Sequence, residues 1–567
     1  MHPFKLADLK ALTVLPNEDS GAWLRGAEES VKFLKANAWK DEIVIYASAS
    51  CVLIHGLLAL GENVTPPDGE DLQSRNMPMP DDSWAIQRVW GSDGYDMYLE
   101  PPLSNSSKAF VGGEKLIYRR SFDGVSDSPS PIELSQKLVH SLDLYLVPER
   151  NAYCRLDARG DIEDVIKITQ VNKGSTWGYI DVVTILRKDL DKFMALSNTC
   201  LVYRFDFTRV RWGAFGGWGD HERYNREEGD LFYHGGVSGD GSYANGAMIV
   251  RPQVTTDDLI QALKDEEDSS SKQYATFKIQ DWKNNALVEA SCGPGHLSNY
   301  FQKSDLPFEL SPAFFRPDVL HLFKANAEKY TLENRSITCR GAWHLKTYDI
   351  NEAGQVHTYV GYLADLPYEV QLYWQSFNEW PRGPISSRAF QTDFEGRWDT
   401  GYDPLTALKH TIHKLDKTSY PWWTPRGEKI AAVVLYPASD SPQEWADEIL
   451  KLDQFLVEGF LAKPLKVQAE NLGRTLEPSW GSLRVLQEVL VGLGQSQEDA
   501  KIIVAPMQKL HALRTTVKGH ASVEKKKAAE VEARTEYGTF RAHFKSLTTE
   551  CEKSLNAILN IFGVELS

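Results

Sequence analysis

The chain has 567 residues, more than one hydrophobic core normally organises, so its length predicts several domains. Hydrophobic residues make up 42% of the sequence and charged residues 25%, which excludes a chain that is disordered throughout. The net charge of -16 excludes a generally basic surface, so any contact with nucleic acid has to be local.

The first third predicts mixed α and β structure. The segment GAWLRGAEESVKFLKANAW has helical periodicity and is followed by the β-branched run DEIVIYAS, which predicts a helix and then a strand. The longest apolar run, Ile43 to Leu60, contains serines and a histidine, so we predict a buried strand and a helix rather than a membrane span. The six cysteines are scattered and the N-terminus lacks a secretion signal, which favours a cytoplasmic protein.

The segment from Asp181 to Trp212 predicts a strand, a helix and a second strand. Ten glycines then lie between Gly213 and Gly246, and they favour turn-rich surface structure. Two alternatives are a small-ligand loop near Asp220 and Glu222 and a metal site made by His221 and His234. The run matches neither a Walker pattern nor a dinucleotide fingerprint.

The middle of the chain predicts a β-rich module. Two β-rich runs flank the turn signal NEAG and predict a hairpin, and IAAVVLYP has the composition of a strand. Two exposed aromatic residues, Trp374 and Trp380, are candidates for recognition, with core packing as the alternative. His410 and His413 would share a helix face, which favours an exposed polar face over a metal pair.

The last part of the sequence predicts an antiparallel helical bundle. Three apolar stripes recur every three or four residues: Leu483, Leu486, Val489, Leu490 and Leu493; Ile503, Met507, Leu510, Leu513 and Val517; and Phe540, Phe544, Leu547, Cys551, Leu555, Ile558 and Phe562. The predicted fold class is therefore α+β multidomain. Its parts are a mixed α/β sensor-like region at 1-305, a β-rich module at 306-438 and a helical bundle at 439-567.

The segment LHALRTTVKGHA contains the candidate catalytic residues, Arg514 and His520, which lie six positions apart across Gly519. A histidine with a pKa near 6.5 can move a proton, and a guanidinium fits phosphate oxygens. Gly519 predicts the end of the helix and can turn His520 back toward Arg514. A cationic run, Lys525 to Lys527, follows in an otherwise acidic chain.

This arginine and histidine pair in a helical bundle resembles the HEPN family, over roughly residues 479-562. The resemblance implies a metal-independent endoribonuclease of a bacterial toxin or phage-defence type, without a cofactor. It also implies a composite site in a homodimer with Arg514 and His520 as catalytic residues. The local cations Lys518, Lys525, Lys526 and Lys527 would bind the RNA substrate, and the N-terminal region would respond to an unknown activating ligand or protein.

Three alternatives stay open from the sequence. The pair is also typical of an ordinary helix end, where Lys518 and His520 complement the helix dipole. The whole chain is also compatible with a non-catalytic interaction or ligand-binding protein that dimerises through its C-terminal helices. An enzyme with its site in the glycine-rich run is the third alternative.

Overall fold

A computed structural model describes residues 4-15, 19-66, 85-100, 114-119, 131-171, 180-211, 215-219, 221-267, 272-333, 335-397, 402-439, 441-519 and 522-564. The chain divides into two compact units. Unit 1 comprises Met1–Asp157 and Ile162–Lys272, and unit 2 comprises Ala158–Asp161 and Gln273–Ser567. The architecture is α+β and multidomain, as the sequence predicts. No helix among the described residues is both long and apolar enough to cross a bilayer.

Unit 1 is built on an antiparallel sheet with the strand order β14-β15-β16-β12-β2-β1-β11-β10-β9-β8, to which β5 and β13 add at β2 and β16. Two hairpins, β3-β4 and β6-β7, lie outside this sheet. The strands are β1 Glu42–Ala49, β2 Val52–Leu60, β3 Ala85–Gly91, β4 Gly94–Glu100, β5 Glu114–Lys115, β6 Ile117–Arg119, β7 Ile132–Leu134, β8 Tyr145–Val147, β9 Ala152–Leu156, β10 Ile162–Val171, β11 Ile180–Leu186, β12 Thr199–Asp206, β13 Arg209–Val210, β14 Glu222–Glu228, β15 Leu231–Ser238 and β16 Gly241–Val250.

Five α-helices accompany this sheet in the described ranges: α1 Leu6–Leu12, α2 Ser20–Asn37, α3 Gln136–Ser141, α4 Arg187–Ser197 and α5 Thr256–Glu267. Helix α2 begins where the Asp19 carboxylate accepts a hydrogen bond from Ala22 N at 3.0 Å. It packs against β15 and β16. The predicted order of α2 and β1 is confirmed, and so is the predicted succession of β11, α4 and β12.

The apolar run from Ile43 to Leu60 forms two strands, so the predicted helix in its second half is wrong. A two-residue turn at Ser50 and Cys51 joins β1 to β2, and Ala49 pairs with Val52 across it. Both strands lie inside the sheet and are buried over most of their length. A strand that is covered on both faces is apolar without alternation, and periodicity alone does not separate it from a buried helix.

The glycine-rich run also forms sheet, not turn-rich surface structure. Most of it lies in β14, β15 and β16, which pair in antiparallel register. The glycines allow close packing between strands. A Cβ at Gly246 would lie 2.0 Å from the Phe232 carbonyl oxygen, and one at Gly235 would lie 2.3 Å from the Tyr224 ring.

Unit 2 contains a sheet with the order β18-β17-β19-β24-β23, to which β25 adds at β19, and a three-stranded sheet, β20-β21-β22. The strands are β17 Thr276–Asp281, β18 Ala286–Ser291, β19 Pro312–Phe315, β20 Tyr330–Leu332, β21 Ile337–Cys339, β22 Trp343–Leu345, β23 Asp349–Ile350, β24 Val356–Tyr359 and β25 Asn378–Glu379. Strands β23 and β24 form the hairpin predicted around NEAG, with Gly354 at φ +73° in its turn. Because β17 pairs with β19, the predicted boundary at residue 305 lies inside unit 2.

The helices of unit 2 are α6 His321–Ala325, α7 Val360–Leu363, α8 Tyr368–Ser376, α9 Ser387–Asp393, α10 Pro404–Lys417, α11 Gly427–Val433, α12 Pro442–Leu456, α13 Ala462–Asn471, α14 Ser482–Gly492, α15 Gln497–Lys518, α16 Val523–Tyr537 and α17 Phe540–Ile561. The strand predicted for IAAVVLYP is wrong, because the first half of this segment lies in helix α11. Helices also begin well before the predicted boundary at residue 438, which lies inside unit 2.

The predicted helical bundle is confirmed in its elements and its core. The three apolar stripes lie on α14, α15 and α17, and most of their side chains are buried in one cluster. The stripe of α17 therefore packs within its own chain.

Candidate functional site

Helix α15 carries Arg514 and ends where the sequence predicts. Ser496 caps its first turn by accepting a hydrogen bond from Asp499 N at 3.0 Å. At the other end Gly519 N donates to Thr515 O at 3.0 Å. A Cβ at Gly519 would lie 2.3 Å from that same oxygen, so the helix end requires glycine. His520, the predicted proton-transfer residue, lies outside the described residues.

The partner of Arg514 is a buried carboxylate on α12. Asp453 has no exposed side-chain surface, and its Oδ2 lies 3.7 Å from Arg514 Nε. That distance is within reach of an ion pair but is longer than a hydrogen bond. Arg514 Nε is buried and has no hydrogen-bond partner among the described residues. The protein therefore holds the guanidinium by charge and leaves its Nε donor without a hydrogen bond.

The same carboxylate also contacts a histidine, His511, that the sequence patterns do not single out. His511 Nδ1 lies 3.1 Å from Asp453 Oδ1 and 3.3 Å from Oδ2, and half of the His511 side chain is exposed. Because a carboxylate accepts, Nδ1 carries the proton and Nε2 is left as the basic nitrogen. His511 and Arg514 lie three residues apart on α15, so they share one face of the helix.

Burial and charge oppose each other at this carboxylate. Burial raises the pKa of Asp453, whereas the hydrogen bond and charge of His511 and the charge of Arg514 lower it, and burial prevails. The carboxylate thus depends on the charge of Arg514 and on the His511 hydrogen bond for its ionised form. We call Asp453, His511 and Arg514 the Asp453 cluster.

The predicted RNA-binding lysines lie on two helices. Lys518 is one turn beyond Arg514 on α15 and forms an ion pair with Asp447 of α12. Lys525 and Lys527 are exposed in the first turns of α16, and Lys526 is partly exposed. Two lysines are therefore fully available to solvent, whereas Lys518 is already paired.

The other predicted sites do not assemble. His234 Nδ1 hydrogen-bonds Asn225 Oδ1 at 2.6 Å on the neighbouring strand, His221 is exposed, and Asp220 lies outside the described residues. His410 and His413 are exposed on α10. Over the described ranges, no group of three or more histidine, cysteine, aspartate or glutamate side chains could hold a metal ion.

The two aromatic candidates for recognition have opposite environments. Trp374 is fully buried and stacks edge-on against Phe315 at 4.8 Å between ring centres, so it is a core residue. Trp380 is 39% exposed and lies 5.6 Å from the Lys278 ammonium. Only Trp380 is placed to contact a partner.

Comparison with known proteins gives no relative for this arrangement. No protein-family model, no curated protein and no solved structure matches the chain. The HEPN resemblance therefore stays a prediction that rests on the residues of the C-terminal helices.

Proposed function

We propose that the C-terminal helices cleave RNA without a metal ion, as an endoribonuclease effector of a bacterial toxin or phage-defence type. The observation that carries this proposal is the Asp453 cluster, where an oriented histidine lies beside an arginine whose Nε has no hydrogen-bond partner in the described parts of the chain. Arg514 would bind the phosphate oxygens. The proton would be moved by His520, as the HEPN resemblance implies, or by His511.

The geometry of His511 suits general-base chemistry. Its Nε2 would accept the proton of the 2′-hydroxyl while the 2′-oxygen attacks phosphorus, and the bond to the 5′-oxygen would break. The imidazolium would then return a proton to the leaving 5′-oxygen. Asp453 would stabilise the imidazolium, since it accepts from Nδ1. The products would be a 2′,3′-cyclic phosphate and a 5′-hydroxyl, and DNA would not react.

The remaining parts of the chain would restrict and regulate this activity. Residues 480-567 carry 12 basic against 10 acidic residues, whereas the whole chain has a net charge of -16. RNA binding would thus be confined to the C-terminal helices and would weaken steeply with salt. Unit 1 would contain the sensing region that responds to an activating ligand or protein.

The test uses the full chain with single-stranded RNA and with DNA of the same sequence, in the presence of a chelator. We expect cleavage of RNA alone, with cyclic phosphate ends. Arg514→Ala should reduce the rate about 100-fold or more, and alanine at His511 or at His520 should identify the proton-transfer residue.

His410→Ala is the matched control, because His410 is an exposed histidine of the same unit outside the Asp453 cluster. Its activity should equal that of the unchanged chain. Cleavage that requires a divalent metal, or that survives Arg514→Ala and both histidine substitutions, would overturn the proposal.

The second candidate function is a non-catalytic protein that dimerises through its C-terminal helices, and helix α16 supports it. Val531 is 56% exposed, and Ala528, three residues earlier on α16, is also exposed. We expect Val531→Glu to shift a dimer to a monomer in light scattering. A monomer at all concentrations before substitution would remove both this candidate and the composite catalytic site.

A further inference from the structure

Unit 2 contains a cavity of about 600 Å³ that is lined by five basic side chains. They come from the β-rich part and from the helices: Lys324, Arg335, Arg388, Lys409 and Arg541. Only two acidic residues, Glu333 and Asp403, line the same space. We call it the cationic cavity.

Three of the five cations form ion pairs with carboxylates, which accounts for their place in the wall. Lys324 Nζ lies 2.5 Å from Glu444 Oε1. Two further ion pairs join Arg335 to Asp393 at 2.8 Å and Arg388 to Asp349 at 2.7 Å. These pairs hold the wall of the cavity and leave little charge for a ligand.

The other two cations, Lys409 and Arg541, have no carboxylate within 4 Å among the described residues. Arg541 donates to Pro437 O at 3.1 Å and lies 4.9 Å from the centre of the Tyr436 ring. The nearby acid, Asp403, already accepts from Tyr436 OH at 2.6 Å and from the backbone and hydroxyl of Thr406. It caps α10 and forms no ion pair with either cation among the described residues.

Desolvation makes these two charges costly. Burial lowers the pKa of Lys409 to about 8, against the opposing charges of Glu448 and Asp403. Burial also lowers the pKa of the Arg541 guanidinium. An unpaired cation in a partly buried site favours a bound anion, because the anion restores the interaction that water provided.

Much of the remaining wall is apolar or aromatic. Leu332, Ile350 and Leu405 line it together with Tyr330 and Tyr348. The Tyr348 hydroxyl already donates to Glu333 O at 2.6 Å. A purely inorganic anion would leave this apolar wall uncovered, and the volume falls within the range of organic-ligand sites.

We propose that the cationic cavity binds a small organic phosphate of nucleotide size, with its phosphate at Lys409 and Arg541 and its ring against the tyrosines. A phosphate carries up to two negative charges, which matches the two unpaired cations, and the guanidinium fork fits its oxygens. The apolar wall takes the ring by burial and stacking. This site is separate from the Asp453 cluster, and the proposal holds whether or not the chain cleaves RNA.

The test is calorimetric titration of the full chain with three probes: adenosine monophosphate, adenosine and inorganic phosphate. Adenosine monophosphate should bind at least about 10-fold more tightly than either fragment, because only it satisfies both the cations and the apolar wall. Equal binding of inorganic phosphate would overturn the requirement for an organic body. No binding of adenosine monophosphate at millimolar concentration would overturn the proposal.

The variant Lys409→Gln tests whether adenosine monophosphate binds in the cationic cavity. This change removes an unpaired charge, so the chain should fold normally while its affinity for adenosine monophosphate falls at least about 10-fold. Arg541→Gln should have the same effect, and Lys463→Gln, which changes an exposed lysine of the same unit, should have none. Unchanged affinity in Lys409→Gln would show that the ligand binds elsewhere.

Discussion

Asparagine at Asp453 should disturb the bundle less than the loss of the two side chains that Asp453 holds. The carboxylate is fully buried, whereas His511 and Arg514 are 51% and 33% exposed. Removing His511 or Arg514 leaves a buried charge with one partner. Removing the charge instead leaves the Arg514 guanidinium to water, which already reaches it, and asparagine keeps most of the volume and an acceptor for His511.

The magnitudes follow from the distances. At 3.7 Å and an effective dielectric constant near 20, the attraction between Asp453 and Arg514 is about 4 kcal/mol before screening. Partial exposure of Arg514 reduces it to roughly 1–2 kcal/mol. The hydrogen bond from His511 is worth a similar ~1.5–3 kcal/mol. We therefore expect Arg514→Ala to cost about 1–2 kcal/mol, the double change with His511→Ala about 3–5 kcal/mol, and Asp453→Asn under about 1 kcal/mol.

Hydrogen exchange of peptides from α12 and α15 measures these losses locally, which avoids treating a chain of several domains as two-state. In the Asp453→Asn background, Arg514→Ala should cost nothing further. That double variant should therefore be as stable as Asp453→Asn alone. A larger loss of protection in Asp453→Asn than in Arg514→Ala would refute the reasoning.

Two further predictions concern other buried groups. Burial and the nearby charge of Lys509 lower the pKa of His543 to about 4. In the unfolded chain the same histidine is protonated near pH 6.5, so between these two values the unfolded chain binds one more proton than the folded chain. Stability of unit 2 should fall by up to ~3 kcal/mol from pH 6.5 to pH 4, and less in His543→Gln, as followed by urea unfolding. Gly246→Ala should destabilise unit 1 by about 1–3 kcal/mol, because its Cβ would meet Phe232 O. Gly216→Ala, with open space, is its control in thermal unfolding.

The sequence predicts the helical bundle because its information is local. The stripes on α14, α15 and α17 repeat at the helical period, and Gly519 marks a helix end that no larger residue fits. Neither observation needs a long-range contact. Such elements are predictable to within a few residues from spacing alone.

The large sheet of unit 1 is less predictable because its signals are non-local. The sequence of β2 is compatible with a helix or with a strand. Its pairing with β1 and with the distant β12 makes it a strand. In the same way, the glycines of β15 and β16 read as turns. Their function is to admit Tyr224 and the Phe232 carbonyl, which lie on adjacent strands.

The candidate site also combines residues with local sequence signals and a residue that only a long-range contact identifies. Arg514 is found by its motif, and His511 was identifiable from its spacing of three residues on the same helix. Asp453 lies 58 residues from His511 in sequence, inside an apolar stripe of α12. An acid at a buried helical position is a usable signal, because it predicts a cation on the facing helix.

Helix α12 contributes residues to both proposed sites. A substitution that moves this helix would therefore affect both of them. Its Glu444 and Glu448 hold Lys324 at the cationic cavity, and its Asp453 holds His511 and Arg514 of α15. Glu448 and Asp453 are separated by about 140° around the helix axis, so α12 has acids on nearly opposite sides. Any change at Glu444 that shifts α12 would disturb both sites together. Lys409 makes no ion pair within the described residues, so its substitution alone probes the cavity without moving this helix.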